Sequence, residues 1–191
     1  MTMTMTIART TLVAAAATLA VATAGCNPAP AGSTRASTGR ADTSASAAAS
    51  DGPSQSAKMI CQPEAADEIA SAVGVKTSNP PTPTWSDHVY SCRYQYPSGV
   101  MVLSIKELPD EATTTAYYTA AQHNLPNSTP EQVLGQQGFS GPDGSVYVRK
   151  DFKVLHVDVS GLADPFGDPT ESRADAAFTV AAVIMSCWTG N

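Results

Sequence analysis

The stretch HVYSCRYQYPSGVMVLSIKEL, residues 88 to 108, alternates like a strand, turns, and alternates again. Successive strand side chains point to opposite sides, so Tyr90, Cys92, Tyr94 and Tyr96 share one face and Ser91, Arg93 and Gln95 the other. Pro97-Ser98-Gly99 supplies the turn, and Met101, Leu103 and Ile105 line one face of the return strand. The unit is a β-hairpin.

Helices flank it. Gln62-Pro63-Glu64 opens the first with proline at its first position and an acid in its first turn. Ala65, Ile69, Ala72 and Val73 fall on one face, and Gly74 stops it. Pro109-Asp110-Glu111 starts a second helix running through Tyr117 and Tyr118 to about Leu125, with Pro126 and Pro130 bracketing the loop beyond.

After Gly135 the pattern returns. Gly141-Pro142-Asp143-Gly144 is a turn, SVYVRK and FKVLHVDV are strands joined around Asp151, and Gly161 begins a Pro/Asp/Gly loop. A closing helix over about 171–188 carries Ala174, Ala177, Ala181, Ile184 and Trp188 at helical spacing. Ala177, Phe178, Val180, Val183 and Met185 extend its apolar surface, so packing on more than one side is expected. The order predicts an α+β fold. Two hairpins build an antiparallel sheet, with about three helices mainly on one face and a duplicated helix-hairpin pattern.

The N-terminal third has a different character. Residues 1 to 25 carry Arg9, no acid, an apolar 12–21 segment interrupted by Thr18, and the small residues Ala22-Thr23-Ala24-Gly25. That order marks an export signal, with Met1, Met3 and Met5 as alternative starts. Its apolar run falls short of the roughly 20 residues a spanning helix needs. Cleavage before Gly25 would release a soluble protein. Thr23-Ala24-Gly25-Cys26 instead resembles a lipobox, in which the Cys26 thiol is acylated and becomes the first residue. Thr23 stands where leucine is more usual. Residues 27 to 57 contain no Leu, Ile, Val, Phe, Tyr or Trp, a composition unable to offset the entropy of ordering. The expected division is a signal peptide at 1–25, a disordered Ala/Ser/Thr/Pro-rich tether at 26–57 and a globular domain at 58–191. As a coil, the tether would span roughly 30 Å, and its composition permits O-glycosylation.

Four cysteines in an exported chain suggest disulfides. With Cys26 lipidated, Cys61, Cys92 and Cys187 remain. Cys61–Cys92 is the favoured pair, tying the start of the first helix to the tyrosine-rich strand, and Cys61–Cys187 is its rival. Under the first pairing Cys187 is a thiol beside Val183, Ile184 and Trp188, expected to act as a small hydrophobe. Pairing of Cys187 between copies is a further alternative to the expected monomer.

These features resemble a group of small exported lipoproteins of actinobacteria with a domain of unknown function. The likeness lies in AGC, the tether, MIC before the first helix, YSCRYQY, VMVLSIKEL, SVYVRKDFKVLHVDVSGL and VAAVIMSCW. It implies a cell-envelope role, like that of extracytoplasmic ligand or sensor modules, without naming a ligand.

Few motifs carry chemistry. The net charge of −6 opposes nucleic-acid binding and docking of the whole domain on anionic lipid. Ser86-Asp87-His88 has the residue types of a hydrolase triad, but consecutive residues cannot reach one another as a triad requires. His88, His123 and His156 stand apart with no zinc spacing, so no metal or cofactor is expected. Asp164, Asp168, Glu171 and Asp175 read better as solvated acids at a helix start than as a calcium site. Arg149, Lys150 and Lys153 form a basic cluster at a hairpin tip, read mainly as edge protection. Tyr90, Tyr94 and Tyr96 are a candidate binding surface if the row opens to solvent; with Cys92 on the same face, core is the expectation. The leading functional expectation is a non-catalytic, lipid-anchored protein on the outer face of the cell membrane, binding an unknown ligand or partner. The alternative is a secreted or anchored envelope enzyme with His88 or His156 as base.

Overall fold

A computed structural model describes residues 52–188. The expected signal peptide, Cys26 and most of the expected tether lie outside those residues. The described part is one seven-stranded antiparallel sheet with four helices.

The ordered chain begins earlier than position 58. Helix α1 (Gln55–Lys58) is capped by the Ser54 hydroxyl, which accepts from the Ala57 N–H at 3.2 Å, and Ala57 is fully buried. Ser54 also donates its hydroxyl and its N–H to the Glu107 carboxylate. The last residues assigned to the tether therefore belong to the domain. Their small side chains show no hydrophobic pattern because capping and the burial of one methyl group hold them. A short 3₁₀ turn, Met59–Cys61, leads to α2 (Pro63–Val73). Gly74 ends α2 in the left-handed region at φ 70°, where a Cβ would lie 1.8 Å from the Asp168 carbonyl oxygen. Only glycine fits both demands.

Strands β1 (Thr82–Ser86), β2 (Val89–Tyr96) and β3 (Gly99–Glu107) form one meander. Helix α3 (Glu111–His123) then carries the chain to the far edge. There β4 (Thr129–Val133), β5 (Gln136–Ser140), β6 (Val146–Lys150) and β7 (Lys153–Asp158) form a second meander. It returns until β7 pairs with β3, giving the order β1-β2-β3-β7-β6-β5-β4. Two meanders thus replace the two expected hairpins. The added strands β1, β4 and β5 read TPTWS, TPEQV and QQGFS. Pro83 and Pro130 and weak alternation conceal them, and β1 and β4 sit at the edges, where proline is tolerated.

The sheet has an inner face toward α2 and α4 (Arg173–Cys187), where Ile69, Val73, Tyr94, Leu103, Leu155 and Ile184 belong to one buried cluster. Helix α4 touches α2 on one side and β4, β6 and β7 on the other, consistent with its broad apolar surface, while Phe178 stays partly exposed. Helix α3 lies on the opposite, outer face, where Tyr118 packs with Phe139 and Val154. Helices α1, α2 and α4 all contribute to the inner cluster, and α3 is the exception to a grouping on one face. Phe139, Tyr147 and Val154 make the outer face of the second meander apolar as well, and α3 covers it.

Candidate functional site

The tyrosine row is core, not a binding surface. Tyr94 and Tyr96 are buried and Tyr90 is nearly so. The Tyr94 hydroxyl donates to the Ile60 carbonyl at 2.6 Å, and Tyr96 meets Phe166 edge to face at 5.0 Å. Burial pushes the Tyr94 phenol well above its ordinary range, with smaller contributions from Tyr96 and Tyr90. Cys61 and Cys92 form a disulfide beside this row. Cys187 is half-buried near the end of α4, 3.9 Å from the Ser186 hydroxyl.

The basic cluster is divided by the sheet: Lys150 and Lys153 oppose each other on one face, and Arg149 lies on the other. Arg149 pairs with Glu111 of α3 on the outer face. Lys150 donates to the Trp188 carbonyl at 2.6 Å and lies over the Trp188 ring, while Lys153 is buried. Alternation along β6 sends Arg149 and Lys150 to opposite faces. Ser86-Asp87-His88 is a turn: Asp87 and His88 both have positive φ, 51° and 57°, as a two-residue type I′ hairpin connection requires. In the acidic loop, the Asp175 carboxylate accepts from the Ser172 hydroxyl and Asp164 accepts from the Arg173 N–H, so these acids serve the start of α4.

A different constellation lies on the outer face. In the pairing registers, Phe139 of β5 opposes Tyr147 of β6, and Tyr147 opposes His156 of β7. His156 opposes Ser104 of β3, and Ser104 opposes Ser91 of β2. The first three stack as a ladder. Phe139 and Tyr147 have centroids 4.6 Å apart at 12°, and Tyr147 and His156 are 4.0 Å apart at 11°. Tyr118 closes the far end edge to face on Phe139. Beyond His156 the side chains become small, and the Ser104 and Ser91 hydroxyls are hydrogen-bonded to each other at 2.9 Å.

A cavity of about 170 Å³ opens where the ladder stops, lined by Val89, Ser104, Lys106, Tyr117, Tyr147, Val154 and His156. Lys106 belongs to the lining, and its ammonium donates to the Asp87 carbonyl. Among the described residues, no carboxylate lines the cavity. Burial pushes the Tyr147 phenol up to about 12, helped by Tyr117 and by the charges of Asp143 and Asp158. Burial lowers the His156 pKa against the weaker pull of Asp158 and Asp143. Asp158 follows on the same face of β7. Burial raises its pKa, but hydrogen bonds from Ser160, the nearby His156 and a hydrogen bond from Ser145 together hold it below the usual range.

Ser104, His156 and Asp158 do not form a catalytic relay. The Ser104 hydroxyl is engaged by Ser91, and Asp158 is engaged by Ser160. Among the described residues, neither His156 nor His88 makes a hydrogen bond to a nucleophile. Among the described residues, no group of three His, Cys, Asp or Glu side chains could hold a metal ion. The sequence signal for the cavity was the outer-face set Val154, His156 and Asp158 in FKVLHVDV. Its partner Ser104 becomes identifiable only with the β3–β7 register.

The state of His156 is measurable. Its imidazole titrates below the ordinary value of 6.5 in the folded chain. The unfolded chain takes up that proton at higher pH, so stability declines as pH falls below about 6.5 and stops declining below the folded-state pKa. An NMR titration of the His156 ring protons reads the midpoint directly; a value at or above 6.5 contradicts the burial argument.

With this geometry in hand, the comparisons offer no analogue: no family model, no curated protein and no solved structure matches the chain. No described helix is long and apolar enough to cross a membrane.

Proposed function

We propose that the chain is an exported lipoprotein of the cell envelope, acylated at Cys26, whose domain binds a small ligand in the outer-face cavity without transforming it. The observation that carries the binding reading is the convergence of His156, Tyr147, Tyr117 and Lys106 on one recess. Pockets that orient small molecules combine apolar walls with a few polar groups in this way. The Ser104 hydroxyl and Asp158 carboxylate are committed to other partners, which favours binding over acid–base work. The Thr23-Ala24-Gly25-Cys26 sequence and the tether composition support the anchor. A short tether then holds the domain near the outer surface of the membrane, as a monomer facing envelope solutes.

The test is to titrate the small-molecule fraction of a cell-envelope extract into isotope-labelled protein. The expected result is a set of resonance shifts confined to Ser104, Lys106, Tyr117, Tyr147 and His156 that His156→Ala removes. Shifts centred elsewhere, or turnover of an extract component that depends on His88 or His156, would overturn it in favour of another site or an enzyme.

A further inference from the structure

We propose that the position above Ser104 is a ring slot, taking a planar aromatic ring that stacks on His156 and carries an anionic group toward Lys106. The inference rests on the reading of the cavity as a ligand site and names the class of ligand.

The argument begins with the ladder. Neighbouring strands lie about 4.8 Å apart, so directly opposed side chains on one face can stack when all are flat. Phe139, Tyr147 and His156 do so, with the planes of adjacent rings 12° and 11° apart. Tyr147 occupies one face of the imidazole. The strand order β3-β7-β6 turns the other face toward β3, where the opposed residue is Ser104. Serine is too short to fill the space a ring would take, and the residue beyond it, Ser91, is equally short. The result is a missing rung at the end of an aromatic series, and His156 and Ser104 both line the cavity found there.

The dimensions and chemistry of the slot restrict its occupant. About 170 Å³ suits one small ring with a substituent rather than a large cofactor. Offset stacking on an aromatic face favours a flat π-system over a saturated ring of similar size. Tyr117 and Val154 supply further walls, and the serine hydroxyls form a polar floor. Among the described residues, Lys106 is the one cation in the lining. Its ammonium keeps two N–H donors after serving the Asp87 carbonyl, enough to meet a carboxylate.

The experiment uses the full-length chain and three probes of similar size. Benzoate is flat and anionic, cyclohexanecarboxylate is anionic but not flat, and benzyl alcohol is flat but neutral. Amide and imidazole resonances of Ser104 and His156 report occupancy. Benzoate is expected to bind weakly and saturably, with each of the other two about fivefold weaker, in line with one stacking contact and one exposed charge contact. Ser104→Phe places a ring in the slot from the protein itself and is expected to weaken benzoate binding at least tenfold. Should that variant not give a folded spectrum, His156→Ala, expected to weaken benzoate about fivefold, takes its place. Equal binding of benzoate and cyclohexanecarboxylate at these residues would overturn the ring slot while leaving a ligand site. Equal binding of benzyl alcohol would overturn the anionic part. No shift at Ser104 or His156 with any probe would overturn both the slot and the site.

Discussion

Replacing both Cys61 and Cys92 by serine is expected to destabilise the folded domain by about 3.5 kcal/mol, a substantial fraction of the about 5–15 kcal/mol margin typical of folded domains. The bridge spans 31 positions, and in the chain-entropy model its removal releases that loop in the unfolded ensemble. The loop contains α2 and β1, so the bridge fixes the helix to the central meander at its start. Urea unfolding of the oxidised chain and the double variant measures the effect. A fall of about 1–3 M in the urea midpoint is expected, with a larger m value because the unbridged chain expands further on unfolding. Coincident midpoints would mean that the bridge restrains nothing the packing does not already hold.

The second large effect concerns Tyr94. Tyr94→Ala removes a buried ring from the inner face and is expected to cost about 3–5 kcal/mol. Tyr94→Phe retains the ring but leaves the Ile60 carbonyl without its 2.6 Å donor, at an expected cost of about 1–2 kcal/mol. The pair separates the two readings of the tyrosine row. A solvent-facing platform would lose binding on truncation and change stability by less than about 0.5 kcal/mol. The core assignment requires both variants to be destabilised, with the alanine variant well below the phenylalanine one. Because the Ile60 carbonyl lies next to Cys61, Tyr94 and the disulfide secure the same 3₁₀ turn, and their losses should not be additive.

Strong periodicity made half of the architecture legible. VYSCRYQY and VMVLSIKE alternate so cleanly that β2, β3 and their buried face follow from the side chains alone. Gly74 and the helix starts at Pro63 and Asp110 are local signals, and the observed helix ends use them. What escaped was non-local or weakly patterned. TPEQV and QQGFS become strands because a Leu134-Gly135 turn, with both residues at positive φ, pairs them and because β6 covers β5. Helix α3 was expected with the other helices. Its outer placement depends on an apolar patch assembled from Phe139, Tyr147 and Val154 on three different strands.

The candidate site was less legible for the same reason. His156 was named in sequence only as a candidate base, and a histidine in a strand has no particular chemistry until its neighbours are known. Those neighbours come from β3, β6 and α3, and their approach is set by a register that joins two meanders. The tyrosines, conspicuous in sequence, turned out to be structural. Ser104 and Lys106, unremarked in sequence, line the cavity.

The central claim, an envelope protein anchored through Cys26, is tested most directly by the intact mass of the protein taken from its own membranes under non-reducing conditions. The account predicts a chain beginning at Cys26, heavier by a diacylglyceryl-sized adduct and lighter by two hydrogens for the Cys61–Cys92 bridge. An unmodified chain beginning at Gly25, or one retaining residues 1 to 25, would contradict it.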